Sequence, residues 1–163
     1  MGRIFLLGDD IDTDQLAPGQ YMRGGIEAIA AHCLEATRPD FATAVRAGDI
    51  LVAGKNFGAG SSREQAAEAL RHLGLSAVVA LSFAGIFYRN AVNLGLPVLV
   101  APSIDGIAEG DAAEIDLSRG TLTLKDKART VALEPMPENL RAIIADGGLV
   151  PHLKRRLARE TAP

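Results

Sequence analysis

Gly54-Lys55-Asn56-Phe57-Gly58-Ala59-Gly60-Ser61-Ser62-Arg63-Glu64 is the stretch on which the reading of this chain turns. Ile50 to Ala53, just before it, is an apolar run that predicts a short strand. After it, Ala66, Ala69, Leu70 and Leu73 recur at helical spacing, so Ser61-Ser62 is expected to open a helix reaching about Leu73. A strand therefore runs into the glycines and a helix leaves them. Gly58 and Gly60 permit positive φ and a close approach of backbone to ligand. Amides and the positive dipole end at a helix N-terminus favour an anion there. Ser61 and Ser62 add hydroxyls, and Arg63 adds a planar cation suited to a carboxylate. A plainer reading stands beside this one, because Ser61-x-x-Glu64 has the spacing of a capping box. Spacing alone leaves both open. Two nucleotide motifs are not met. Ala59 and the placement of Lys55 break the P-loop pattern, and Arg63 stands where the dinucleotide fingerprint requires a third Gly.

Working outward, Ala77 to Leu81 and Val98 to Val100 read as strands around a helical stretch from Phe83 to about Leu94. On the other side, a strand over Ile4 to Leu7 precedes a loop over Asp9 to Gly19. Helices are expected over Gly24 to Leu34 and Pro39 to Ala47. This β-loop-α-β-α-β order is that of a parallel sheet with crossovers. Beyond Pro102 the pattern changes. Glu114 to Leu117 and Thr121 to Leu124 flank Ser118-Arg119-Gly120 as a hairpin, and Arg129 to Leu133 offers another strand. Glu138 to Ala145 and Pro151 to Glu160 read as closing helices. The expectation is an α/β fold with a mixed sheet, parallel β-α-β units first and an antiparallel hairpin second. It forms one unit over 1–163, with its closing helices from about 137.

Composition narrows the chemistry. The 163 residues carry a net charge of −3 and 4% aromatics with no Trp, which argues against a nucleic-acid surface. One Cys and three His exclude a disulfide framework and a Cys-rich zinc or iron–sulfur site within the chain. If a metal takes part, another molecule brings most of its ligands. Asp10-x-Asp12-x-Asp14 has the start of a calcium loop, but Gln15 and Tyr21 occupy the positions that need Gly and Glu. Ile4 to Leu7 is too short for a signal sequence or membrane span, so a cytoplasmic protein with no membrane partner is expected. His72 near a helix end reads as a dipole partner. Lys154, Arg155, Arg156 and Arg159 read as a solvated face rather than an RNA-binding one, with docking to an acidic partner rim as a further reading.

The Gly54–Glu64 stretch resembles the signature of the aconitase swivel domain. The chain is similar to the small subunits of 3-isopropylmalate dehydratase and their homoaconitase-like relatives. Gly8-Asp9-Asp10-Ile11-Asp12-Thr13-Asp14 and Ala17-Pro18-Gly19-Gln20-Tyr21 carry the resemblance further. So does the stretch from Ser82-Phe83-Ala84 through Phe87-Tyr88-Arg89-Asn90-Ala91 to Gly95-Leu96-Pro97. The resemblance implies an aconitase swivel-like β/β/α fold. It also implies a hydro-lyase that moves a hydroxyl between neighbouring carbons by dehydration and rehydration, as in leucine biosynthesis. The chain would bind no cofactor itself. It would be active only with a large subunit carrying a [4Fe–4S] cluster, in a heterodimer or heterotetramer, with the iron as Lewis acid.

By the same resemblance Ser61 is the catalytic base, acting as an alkoxide, while Ser62 and Arg63 hold a substrate carboxylate. Asn56, Gly58 and Gly60 shape the turn. Arg23, shortly after Tyr21, would meet an additional carboxylate, as in homoaconitase-like relatives, or remain solvated on a Gly-Gly loop. The substrate is then a 2-hydroxy di- or tricarboxylic acid: isopropylmalate first, with homoaconitate, citraconate or maleate, and 2,3-dimethylmalate as alternatives. Ala59, Gln65 and Gly85 depart from the Cys, His and Arg usual in the family. A reading from another class is a non-catalytic anion-binding or regulatory module.

Overall fold

The computed structural model describes residues 1–160 of the chain, so residues 161–163 of the expected 1–163 unit lie outside the described residues. Seven strands form one sheet: β1 (Gly2–Leu6), β2 (Ile50–Ala53), β3 (Ala77–Ala80), β4 (Val98–Val100), β5 (Ala112–Asp116), β6 (Thr121–Leu124) and β7 (Arg129–Ala132). Their order is β4-β3-β2-β1-β5-β6-β7. The first four run parallel, with Ile4 opposite Ile50, Ile50 opposite Ala77, and Val78 opposite Val98. β1 is also the seam, because Gly2 and Arg3 pair antiparallel with Ala113 and Ala112 of β5. The β5-β6-β7 meander completes the antiparallel half. This is the mixed α/β sheet expected from the sequence.

The burial of each half follows from its residues. Every residue of β2 and β3 is buried, and both strands are small or β-branched and apolar, as a sheet covered on both faces requires. β6 instead alternates half-buried Thr121 and Thr123 with buried Leu122 and Leu124, the period of a strand with one wet face. Around the parallel half lie α2 (Gly25–Ala31), α4 (Glu64–His72) and α5 (Gly85–Asn93), with α4 packed against both others. Asp49, 3% exposed, ties the bottom of β1 to the loop before β2. Its carboxylate accepts from the Arg3 amide at 2.8 Å, the Arg46 amide at 2.9 Å and the Arg3 guanidinium at 3.3 Å. A buried charge with this many donors is satisfied rather than costly.

Several boundaries move from those expected. The helix after the Gly-rich turn begins at Glu64, not at Ser61-Ser62; Arg63 is its extended N-cap residue, and no side chain caps it. The Ser61-x-x-Glu64 capping box does not form. A capping box forms instead inside the expected Asp9–Gly19 loop, where Asp12 accepts from the Gln15 amide and the Gln15 side chain from the Asp12 amide. It starts the short helix α1 (Thr13–Leu16). A 3-10 turn over Gly19–Gly24 then delays α2 to Gly25, and α2 ends at Ala31. The chain leaves helical geometry there: Leu34 takes φ 62° and its carbonyl collects the amides of Thr37 and Arg38. The next helix, α3 (Phe41–Ala44), is cut short where Asp49 captures the Arg46 amide. The chain closes with α6 (Glu138–Ala145) and α7 (Leu149–Glu160).

Candidate active site

Three parallel strands deliver their C-terminal ends to one edge, where open α/β sheets present their binding loops. β1 leads into Gly8–Asp12, β2 into Gly54–Arg63, and β3 into Leu81–Ala84. Backbone bonds stitch the three segments together. The Gly54 amide donates to Gly8 at 3.0 Å, Leu81 to Gly54 at 3.1 Å, Gly58 to Ile11 at 2.7 Å and Thr13 to Ala59 at 2.8 Å. Side chains finish the weave: Asp9 accepts from the Lys55 amide at 2.7 Å, and the Ser82 hydroxyl from the Asn56 amide at 2.8 Å. Asn56 sits at φ 59° and its side-chain amide donates to Asp10 at 2.8 Å. Asn tolerates this left-handed geometry better than most residues, which accounts for its shaping role.

The two glycines expected to shape the turn have distinct reasons to be glycine. A Cβ on Gly58, at φ 80°, would come within 2.2 Å of the Phe87 ring. One on Gly60, at φ 110°, would meet the Thr13 hydroxyl at 2.8 Å. The turn is thus pressed onto α5 at one point and onto α1 at the other.

Ser61 is exposed at the outer side of this turn, yet it is held from below. Thr13, 2% exposed, offers its hydroxyl to both the Ser61 amide at 3.1 Å and the Ser61 hydroxyl at 3.2 Å. Ser62 is exposed beside it. The amides of Ser62, Glu64 and Gln65 have no protein acceptor among the described residues. They face the start of α4, where the dipole favours negative charge. Arg63 is half-buried, and its Nη1 donates to the Asp14 carboxylate and, at 3.0 Å, to the Ala17 carbonyl. That leaves Nε and Nη2, one full edge of the guanidinium, for a planar anion.

The structure brings Asn56, Gly58, Gly60, Ser61, Ser62 and Arg63 into one turn. Arg23 is placed separately, exposed on the 3-10 turn, with no hydrogen-bond or ion-pair partner among the described residues. The sequence does not single out Thr13, and it offers Asp14 only as part of an incomplete calcium loop, although both lie in the Gly8–Asp14 stretch. The only signal was the run of short polar residues, and it does not say which of them folds under Ser61. Of the departures, Ala59 contributes its backbone to the pairing with α1, and a side chain at Gly85 would meet nothing within 4 Å. Cys33 is 1% exposed and burial pushes its thiol far up, so it offers no ready thiolate. Among the described residues no group of three or more His, Cys, Asp or Glu could hold a metal ion, and no helix is long and apolar enough to cross a membrane.

Known proteins share both the architecture and much of the sequence of this chain. The crystal structure of a 3-isopropylmalate dehydratase from Methanocaldococcus jannaschii superimposes with a TM-score of 0.93. It is 44% identical and covers 98% of this chain and 96% of its own. An aconitase swivel-type domain is therefore the class that the fold and the turn define. The family model of the aconitase C-terminal domain matches residues 25–103. A 3-isopropylmalate dehydratase small subunit of Archaeoglobus fulgidus is 48% identical, with 95% of this chain and 94% of the relative covered. A methanogen homoaconitase small subunit of Methanothermobacter thermautotrophicus is 47% identical over 93% of this chain and 88% of its own length. The chain belongs to this family, the small subunits of aconitase-type hydro-lyases.

Proposed function

We propose that this chain is the small subunit of a heteromeric 3-isopropylmalate dehydratase of the cytoplasm, interconverting 2- and 3-isopropylmalate. The observation that carries the proposal is the exposed Ser61 hydroxyl, held by buried Thr13 beside a guanidinium with one free edge. Ser61 Oγ takes the proton from the carbon next to the carbinol carbon and returns it when water is re-added. An unperturbed serine is a poor base at neutral pH. The unpaired amides of Ser62, Glu64 and Gln65, together with Arg63, lower the cost of negative charge on Oγ in a site closed by the partner. Arg63 Nε and Nη2 hold a substrate carboxylate in a fork, and the Ser62 hydroxyl donates to the same group. A [4Fe–4S] cluster on the large subunit would supply the Lewis acid, and no group of this chain is assigned to it.

A second reading, a homoaconitase-like substrate, is favoured by Arg23: an exposed cation with no partner among the described residues suits a further carboxylate better than an isopropyl group. The test is reconstitution with the cluster-bearing large subunit and assay against a panel of 2-hydroxy acids. Isopropylmalate as the best substrate supports the first reading. Homoaconitate as the best supports the second, and turnover of none rejects both.

A further inference from the structure

The 3-10 turn that carries Arg23 is lightly anchored: Tyr21 and Met22 rest half-buried against the core, while Arg23 itself is exposed. None of its residues Gly19–Gly24 is buried, and its N-cap position, Pro18, makes no side-chain capping bond. At the far end a Cβ on Gly24 would meet that of Ala28 at 2.5 Å, while the following Gly25, at φ 77°, has open space around it. The near end is fixed where Arg63 binds the Ala17 carbonyl at 3.0 Å, and a Cβ on Gly19 would lie 3.9 Å from Arg63 Nη2. The turn therefore lies directly beside the guanidinium edge assigned to substrate.

Its middle is held from the other side. The Tyr21 ring lies flat on His32, with ring centroids 3.6 Å apart and planes within 7°. His32 ends α2, and its Nδ1 is 2.5 Å from the Glu35 carboxylate. The second oxygen of that carboxylate accepts from the Gln20 side chain at 3.3 Å. One carboxylate thus locks the imidazole plane and also grips the residue before Tyr21. Both His32 and Glu35 remain about one-third exposed, so neither is needed to fill the core. A stacked pair on a surface turn restrains position far more than it adds burial.

We propose that His32 and Glu35 are positioning residues: they clamp Tyr21 and so set where Arg23 stands relative to Arg63, which fixes the enzyme's choice between substrates with an apolar and a charged distal group. The choice of substrate rests on the dehydratase reading above; the clamp itself rests only on geometry.

The experiment uses His32→Ala and His32→Phe, the second keeping a flat ring under Tyr21 while losing the bond to Glu35. Amide hydrogen exchange on the full chain should rise about tenfold at Tyr21–Arg23 in His32→Ala, with β3 unchanged, and stay near wild type in His32→Phe. In the reconstituted pair, the ratio of kcat/KM between homoaconitate and isopropylmalate should shift at least about fivefold in His32→Ala and much less in His32→Phe. Unchanged exchange at the turn overturns the clamp. Faster exchange with an unchanged ratio overturns its role in specificity. A wild-type pair inert toward both acids removes the dehydratase reading instead, and the exchange data then decide the clamp by themselves.

Discussion

Thr13 lies beneath Ser61 and meets it twice, its hydroxyl 3.1 Å from the Ser61 amide and 3.2 Å from the Ser61 hydroxyl. The two residues are 48 positions apart, and among the described residues no other hydrogen bond holds the Ser61 side chain. Thr13→Val preserves the buried shape and removes the hydroxyl. It should lower kcat of the reconstituted enzyme about tenfold or more, with a folding cost near 1 kcal/mol. Thr13→Ser should restore most of the rate. Equal kcat in Val and wild type would remove Thr13 from the mechanism.

Ser61→Ala tests the base directly. Ser61 is exposed and its hydroxyl meets only the Thr13 hydroxyl among the described residues, so stability should fall by no more than the roughly 1 kcal/mol of one hydrogen bond and pairing with the large subunit should be unaltered. Turnover should fall by at least about a hundredfold, the usual scale for loss of a positioned proton acceptor. Activity above a few per cent of wild type assigns the proton transfer elsewhere.

Arg63 and Asp14 should separate kinetically. Asp14 holds Nη1 and leaves the Nε–Nη2 edge facing outward, so Asp14→Asn should raise KM several-fold, roughly 1 kcal/mol, with little change in kcat. Arg63→Lys should raise KM by more, because one ammonium cannot make two parallel bonds. A lowered KM in Asp14→Asn would mean that the pair competes with substrate rather than orienting the guanidinium.

Gly58→Ala combines a positive φ with a Cβ 2.2 Å from the Phe87 ring. Phe87 is 2% exposed, edge-on to Phe57 and stacked on Phe83, so it cannot swing away cheaply. We expect a loss of about 2–4 kcal/mol in chemical denaturation, from backbone strain plus overpacking. Gly85→Ala, where a Cβ meets nothing, should be within about 0.5 kcal/mol of wild type.

Glu109 gives a pH signature. Burial pushes its carboxyl up, but the Arg38 guanidinium and the Leu6 amide together hold it below its ordinary value of 4.5. A carboxylate depressed in the folded state contributes stability above its unfolded pKa and loses it as pH falls through the folded one. Stability attributable to this group should therefore be constant above about pH 5 and decline below 4.5. In Glu109→Gln the decline below that pH should be shallower, as read from denaturation midpoints across pH.

Much of the fold was legible because local pattern and tertiary role coincide. Ile50–Ala53 and Ala77–Ala80 are short apolar runs bounded by turn residues, and they became fully buried parallel strands. The helix starts at Glu64, later than the spacing predicts, for a physical reason. Ser61-x-x-Glu64 matches a capping box, but the Ser61 amide that the box would use donates to Thr13 instead, and the helix begins later, with Arg63 at its N-cap. Conversely, Asp12 and Gln15 form such a box within a stretch read as loop, because three acidic residues in five positions look more like a turn than a four-residue helix.

By itself, then, the sequence determined the α/β order, the glycine turn between β2 and α4, and the absence of any ligand set for a cluster in 163 residues with one cysteine. These depend on composition and on neighbours within a few positions. Only the tertiary structure decided what Ser61 and Arg63 rest on. Thr13, Asp14 and Ala17 reach them because β1 and β2 run parallel side by side and empty their loops at the same edge. That proximity is a property of strand order, and no local pattern encodes which hydroxyl will lie 3.2 Å from which.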